Sequence, residues 1–235
     1  TYQNLSGTNT ESGNSLFGKN AGYNNVTGKE NTYIGYQSGY GGTGSNTGNT
    51  GVGFESLLDI TSGEYNTSIG WKSGHNLQDG DYNVFIGNYA GEGTTTGEKM
   101  TFIGGASGRG VATDTAIGSV GIGYSTLNAL TSGEGNVAVG YEALASEDSG
   151  GYSTAIGHQA LKVQNVDNAN NVAIGYNAAV AMTTGKENVI IGNNAADASV
   201  DVDKAVVIGS SAMGNGNVTS AADGTVAIGK VALFA

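Results

Sequence analysis

The sequence predicts an all-β fold, a parallel β-solenoid in which each coil takes about 17 residues. The first observation is a nine-residue motif, NVAIGYNAA at 171–179, which recurs with small changes along the chain. The second is the spacing of its glycine, called the anchor glycine below, which returns at 13 positions with gaps of 17 to 20 residues. A short, steady period is typical of stacked coils. The anchors are Gly18, Gly35, Gly53, Gly70, Gly87, Gly104, Gly123, Gly140, Gly157, Gly175, Gly192, Gly209 and Gly229.

The residues before each anchor glycine predict a short strand. The preceding position is almost always Ile or Val, and the position two residues earlier is mostly Thr or Val. β-Branched residues at a spacing of two suit a pleated strand. We expect the column before the anchor to form a ladder in the core or between neighbouring chains. Its members include Ile34, Ile69, Ile86, Ile103, Ile122, Val139, Ile156, Ile174, Ile191, Ile208 and Ile228.

The residues after the anchor glycine predict how the coil returns. The third position after it is always small, from Ala21 in the first coil to Ala232 in the last. We expect this position to face inward, where a second short strand crosses a thin core. Polar clusters such as TSGEY and TTGKE separate the copies of the motif, and glycine there supplies a positive φ. Each coil is therefore predicted to be a strand, a glycine bend, a short strand and a polar loop.

The period predicts one repetitive unit of 13 coils over residues 1–235. Residues 1–117 are rich in aromatic residues and hold 13 of the 18, whereas residues 118–235 are rich in Ala, Val and Ile. Each coil offers few large apolar side chains, so an isolated solenoid would be marginally stable. We therefore expect an obligate oligomer. Both ends of the sequence fall within a coil, and we expect the segment to belong to a longer protein.

The charge of the chain excludes one class of partner. The formal net charge is −11, and Arg109 is the one arginine, so we expect no binding to nucleic acid, which requires clustered basic residues. The sequence contains no apolar run that would predict a signal peptide or a membrane span. We expect no insertion of this segment into a membrane.

The motifs NVAIGYNAA and GNVAVGYEALAS resemble the head repeat of YadA-like trimeric autotransporter adhesins. Similar repeats occur in phage tail fibres and mosaic trimeric adhesins. The matching residues are the Val-Ala-Ile-Gly core, as in 172–175 and 226–229, and the small residue three positions on. The resemblance implies a left-handed parallel β-roll assembled as an elongated homotrimer that extends or displays an adhesive tip. The early coils depart from the repeat, with Tyr33, Gly51, Phe85 and Phe102 where Ala is usual.

Nothing in the sequence predicts an enzyme. The two histidines, His75 and His158, are separated by nearly five coils, and no nucleophile, base and orienting group share one coil. Hexapeptide acyltransferases also form left-handed β-helices, but their coils need three hexads, and each coil here fits one. We expect no catalytic residue and no cofactor.

Metal binding is not predicted either. The run DGDYN at 79–83 has the start of an EF-hand loop, but Val84 stands where glycine is required and the closing Glu is missing. We expect Asp79 and Asp81, like Asp201 and Asp203, to be solvated turn residues.

Aromatic residues follow several anchor glycines and should stack into a ladder along one face. Two interpretations remain open. The ladder could seal the outer or inter-chain surface, or it could be a platform for sugar rings or a receptor. For the second we place Trp71 and Tyr36 first. The candidate ligand-contacting residues are Tyr36, Phe54, Trp71, Tyr124 and Tyr141, with Tyr176 and His158 in the same column.

Asparagine precedes many of the predicted strands, and we expect this Asn column to satisfy backbone groups from coil to coil.

Taken together, these patterns predict a structural and adhesive fibre segment on a bacterial surface or virion, hence extracellular. Its expected partners are two copies of itself and a host-cell glycan or surface receptor. The alternative is an ice-binding or glycan-binding β-solenoid. Ice binding requires regular Thr rows, and the row formed by Thr32, Thr50 and Thr67 is interrupted at Val84.

Overall fold

The computed structural model describes residues 13–41, 44–110, 113, 116–214 and 220–233. Over these residues the regular structure is thirteen strands of three residues each and a single 3-10 turn, Ser220–Ala222. The strands are β1 (Ser15–Phe17), β2 (Thr32–Ile34), β3 (Thr50–Val52), β4 (Thr67–Ile69), β5 (Val84–Ile86), β6 (Thr101–Ile103), β7 (Val120–Ile122), β8 (Val137–Val139), β9 (Thr154–Ile156), β10 (Val172–Ile174), β11 (Val189–Ile191), β12 (Val206–Ile208) and β13 (Val226–Ile228). Every strand ends at the residue before an anchor glycine, as predicted.

The chain divides into two compact units, Thr1–Gly118 and Ser119–Ala235. In the first unit, β1 to β6 pair in sequence order, and every pair is parallel. In the second, β7 to β13 do the same. The register places equivalent residues side by side, for example Thr67 next to Val84 and Ile69 next to Ile86. Each unit is therefore a parallel β-solenoid with about 17 residues per turn, and the thirteen strands correspond to about twelve turns.

The middle residue of the strand points into the solenoid. It is fully buried in β2, β5 and β8, as Tyr33, Phe85 and Ala138 respectively, while the first and third residues of each strand face outward. Successive side chains of a strand alternate between its two faces, so one apolar residue per strand reaches the core. The small residue three positions after the anchor glycine is also buried, at Ala90 and Ala143 for example, as predicted.

Large and small residues are paired across this thin core. The residue six positions after the middle of the strand faces the same space. Where the strand carries an aromatic ring that residue is glycine, and where the strand carries Gly or Ala it is often leucine. A Cβ on Gly91 would lie 2.7 Å from the Phe85 ring. The glycines that face a ring are Gly39 at Tyr33, Gly91 at Phe85 and Gly108 at Phe102. Buried leucines occupy the same position after Gly51, Gly121, Ala138 and Ala155, as Leu57, Leu127, Leu144 and Leu161.

The predicted second strand is wrong over the described residues, where a turn follows each anchor glycine instead. In this turn the second and fourth residues after the anchor have positive φ, for example 53° at Glu55 and 52° at Leu57. The coils stay hydrogen-bonded: the N–H of Glu55 donates to the preceding coil at Tyr36 O (2.9 Å), and the N–H of Leu57 to the following coil at Ser73 O (3.1 Å). Main-chain pairing therefore continues without extended backbone.

The anchor position requires glycine for two reasons. Its φ lies between +125° and +144°, a region that residues with a side chain essentially do not enter. In addition, a Cβ built on Gly140 would overlap the carbonyl oxygen of Gly157 in the next coil. The anchor glycines therefore permit both the bend and the close stacking of coils.

The Asn column forms the expected buried ladder. Asn66 accepts the N–H of Asn83 on its Oδ1 (2.9 Å) and donates from Nδ2 to the carbonyl of Gly80 (2.8 Å). Asn188 repeats the pattern in the second unit, where its Oδ1 accepts the N–H of Ala205 (2.8 Å). The predicted structural role of these asparagines is confirmed.

Candidate functional site

The first and third residues of the strands form an outward surface on each unit, which we call the strand face. Its two columns are the Thr or Val column, half-buried in most coils, and the Ile or Val column two residues later. Ile34 is 40% exposed, Ile69 39%, Ile122 39% and Ile156 38%. The Ile column expected to be a core or inter-chain ladder therefore does not lie in the chain's own core. That role belongs to the middle residues of the strands, which the sequence analysis did not single out.

The predicted aromatic column exists in the first unit as a continuous row. Tyr36 stacks on Phe54, with ring centroids 5.2 Å apart and planes inclined by 11°. Phe54 and Trp71 are 5.9 Å apart and tilted by 42°, and Trp71 meets Tyr89 edge to face at 5.0 Å and 63°. Tyr89 belongs to the neighbouring column, two residues after its anchor glycine, and sequence reasoning missed it.

The second unit carries a more regular row of four rings. Tyr124, Tyr141, His158 and Tyr176 follow one another with centroids 5.1 to 5.6 Å apart and planes inclined by 12° to 20°. Since these rings lie face to face, the inner rings present mainly their edges to solvent. The pKa of Tyr141 is raised, first by the charge of Glu142 and then by their hydrogen bond.

Basic side chains lie over the rings of the first unit. Arg109 Cζ is 4.6 Å from the centroid of Tyr89, and Arg109 Nε is 2.7 Å from Glu92 Oε2. Lys72 Nζ is 5.8 Å from the centroid of Trp71 and 3.3 Å from Glu55 Oε2. These distances permit cation–π attraction as well as ion pairing.

The two histidines have separate surroundings, each in its own unit. His75 Nε2 lies 3.3 Å from Glu55 Oε2, and His75 Nδ1 lies 2.6 Å from Asn76 Oδ1. His158 lies in the aromatic row between Tyr141 and Tyr176. His158 therefore contacts two tyrosine rings, whereas His75 contacts a carboxylate and an amide.

The aspartates considered as metal ligands serve the turns. Asp79 accepts hydrogen bonds from the hydroxyls of Ser62 and Thr61, which lower its pKa in that order of importance. Asp81 Oδ1 accepts the N–H of Glu64 (2.7 Å), and Asp203 Oδ1 that of Lys186 (2.7 Å). Asp201 Oδ1 has no hydrogen-bond partner. Within the described ranges, no group of three or more His, Cys, Asp or Glu side chains could hold a metal ion.

One carboxyl group is buried at a position that is apolar in some coils, as at Leu130, and polar in others, as at Gln164. Glu147 occupies the position of Leu130 in the preceding coil and is inaccessible to solvent. Its Oε1 accepts the N–H of Gly150 (2.7 Å), and its Oε2 accepts from Gln164 Nε2 (2.7 Å). Gln164 Oε1 in turn accepts from Asn171 (2.8 Å). Burial raises the pKa of Glu147, and its hydrogen bonds offset part of that rise.

No family model, curated protein or solved structure matches the chain. None of the described residues belongs to a helix with the length and apolar character needed to cross a bilayer.

Proposed function

We propose that the chain is a structural and adhesive fibre segment that assembles as a homotrimer through its strand faces. The observation that supports this proposal is the strand face itself, a parallel sheet surface of β-branched residues that the chain leaves uncovered. Parallel sheets are normally covered on both faces, and exposed contiguous apolar surface marks an interaction site. The core covers the inner face, so a partner must cover the outer one.

Further copies of the same chain are the partners that fit best. The apolar columns repeat from strand to strand in register, as Ile174 beside Ile191 and Ile208 shows. A partner with the same spacing would meet one apolar row per coil, and an identical chain has that spacing. The resemblance to YadA-like head repeats supports three chains, a left-handed β-roll, and a position on a bacterial surface or virion outside the cell.

The mass in solution tests the assembly. Light scattering after size-exclusion chromatography is expected to give three times the 23.5 kDa of the chain. Replacing Ile69 and Ile156, one in each unit, by Lys should lower the mass, because two buried charges per chain would lie in the interface. Tyr152→Lys, at an exposed position outside the strand face, is the matched control. A stable folded wild-type monomer would overturn the proposal.

A second candidate function is binding of a glycan or receptor by the exposed aromatic rows. Trp71, Phe54 and Tyr36 lie at the surface of the first unit, and exposed rings offer flat apolar area to sugar rings. A glycan array probed with wild type and Trp71→Ala tests this candidate. If no glycan binds, the segment is a spacer.

Ice binding remains the weaker alternative. Thr32, Thr50 and Thr67 lie side by side in β2 to β4, but Val84 interrupts the row at β5. A thermal hysteresis measurement tests it, and absence of activity would remove it.

A further inference from the structure

The aromatic row of the first unit ends beside Trp71 and Tyr89. In the two following coils the equivalent positions hold Asn88 and Gly105, so no further ring continues the column. The neighbouring column likewise falls from Tyr89 to Ala106 in the next coil. Side chains in both columns therefore become smaller after Trp71 and Tyr89, and the guanidinium of Arg109, 4.6 Å from the Tyr89 centroid, takes up part of the space beside that ring.

The indole of Trp71 is oriented differently from the rings in the stacked rows. Its plane is inclined by 42° to Phe54 and by 63° to Tyr89, whereas Tyr36 and Phe54 are nearly parallel. Trp71 is 43% exposed. No parallel ring covers it, and Lys72 Nζ lies 5.8 Å from its centroid, so a ligand would share the exposed indole surface with this ammonium group.

Arg109, which belongs to the next coil, lies at the same end of the aromatic row. Its guanidinium lies over Tyr89 and is fixed at Nε by Glu92, while the side chain remains 49% exposed. Arg109 Nε donates to Glu92 Oε2 (2.7 Å), and the hydrogen bonds of the described residues include none from its two Nη groups. A guanidinium held in this way presents a planar fork that matches a carboxylate.

We propose that Trp71, Tyr89 and Arg109 form a binding site for a carboxylated sugar, such as a sialic or uronic acid residue of a glycan. The apolar face of the sugar would lie on the indole, and its carboxylate would accept hydrogen bonds from the Nη groups of Arg109. Glu92 Oε2 is paired with Arg109 Nε, and the exposed amide of Asn88, on the same coil as Tyr89, suits a sugar hydroxyl. Lys72 and Arg109 lie over Trp71 and Tyr89 respectively, and their positive charges favour an anionic ligand at this place.

This inference rests on the glycan-binding candidate and names its ligand class. The residues follow their anchor glycines by one to five positions, on the turn side of the coil and not on the strand face. Covering the strand face by other chains would therefore leave these side chains on another surface of the unit.

Isothermal titration with three sugars tests the site on the full chain. 3′-Sialyllactose and trigalacturonic acid carry the carboxylate, and lactose lacks it. We expect at least one carboxylated sugar to bind about tenfold more tightly than lactose, which is the value of one charged hydrogen-bonded pair. Quenching of Trp71 fluorescence on titration is an independent readout, because the chain has a single tryptophan. The comparison between the two acids shows which source of carboxylate the site accepts.

Variants then assign the contacts. Arg109→Gln should bring the affinity for the acidic sugar down to that for lactose, and Arg109→Lys should lie between, since it keeps the charge and loses the fork. Trp71→Ala should weaken both sugars. Tyr176→Ala, which removes an exposed ring from the second unit, should change neither.

Three results would overturn the site: equal affinity for lactose and both acids, unchanged binding by Arg109→Gln, or no binding of either acid by wild type. Light scattering on the same samples separates this outcome from failure of the fibre proposal, because a trimer that binds no acidic sugar would retain its mass.

Discussion

Asn83 contacts the coil on either side of it. Its N–H donates to Asn66 Oδ1 (2.9 Å), its Nδ2 donates to the carbonyl of Gly97 (2.8 Å), and its Oδ1 accepts the N–H of Met100 (3.0 Å). All these atoms are buried, so each lost bond leaves a polar group that water does not reach. Asn83 therefore joins three successive coils, through its main-chain N–H to the preceding coil and through its side chain to the following one.

Asn83→Ala should destabilise the first unit by about 2–4 kcal/mol, because it leaves the Gly97 carbonyl and the Met100 N–H unpaired in the interior. Urea denaturation followed by circular dichroism measures the change. Asn88→Ala, at an exposed position of the same coil, should stay within about 0.5 kcal/mol of wild type. Equal effects from the two substitutions would contradict the ladder.

Glu147 makes the second unit sensitive to pH in the direction opposite to a salt-bridged carboxylate. Its pKa in the folded chain is raised by burial, above an unfolded value of about 4.3. Below that value both states are protonated and no penalty applies. As the pH rises, the unfolded state loses its proton first, so this group's contribution to stability falls until the folded pKa is passed.

Glu147→Gln removes the buried charge, but its amide has one acceptor oxygen for the two donors, Gly150 N–H and Gln164 Nε2. The melting temperature of the variant relative to wild type should therefore be higher at neutral pH than near pH 4, because the penalty of the buried charge is present only in wild type and only at the higher pH. Melting curves from pH 4 to 8 measure this difference. Glu187→Gln, at an exposed position, is the control and should leave the pH profile unchanged. A larger gain at pH 4 than at pH 7 would reverse the assigned sign.

At the scale of the coil, the core is filled by pairs and not by single residues. Phe85 is opposite Gly91, and Ala138 is opposite Leu144 in the second unit. Both arrangements fill the same space with a different division of volume. This explains why coils that depart from the usual Ala keep the same strand and turn.

Phe85→Ala should destabilise the first unit by about 3–5 kcal/mol, because it leaves a cavity in the core. Adding Gly91→Leu should restore at least about 1 kcal/mol, a coupling typical of residues in contact. Leucine already occupies this turn position at Leu144, with a φ of 49°. A double-mutant cycle in urea measures the coupling, and additive costs would show that the two residues do not share the space.

The strands were predictable because their signal lies in side chains: the Ile column, the Thr or Val column and the small inward residue define one register. The return turn was not predictable, because residues such as Glu55 and Lys72 have positive φ there, and their residue types do not indicate that conformation. The aromatic column was predictable at Trp71, but the tilt of its ring and the approach of Arg109 depend on neighbouring coils.

At the scale of the whole molecule, the sheet of each unit has one face inside and one outside, and both carry apolar residues. The inner residues, such as Phe85, Ala138 and Ile190, are buried within the chain, while the outer Ile and Val columns are half-buried or exposed. A monomer would therefore expose an apolar row on every coil. In the proposed assembly through the strand face, that row would leave water, and the free energy of folding would then include association.

Because association contributes to stability, the melting temperature should depend on protein concentration. A tenfold increase should stabilise a trimer by about 1 kcal/mol per chain by mass action, which for a chain of this length corresponds to a rise of about 2–4 °C. Differential scanning calorimetry across a hundredfold range of concentration measures the slope. Ile69→Lys combined with Ile156→Lys should abolish it, since both positions lie on the strand face, and Tyr152→Lys should preserve it. A melting temperature that is constant across the range for wild type would mean that folding is complete within one chain and that the strand face is stable in water.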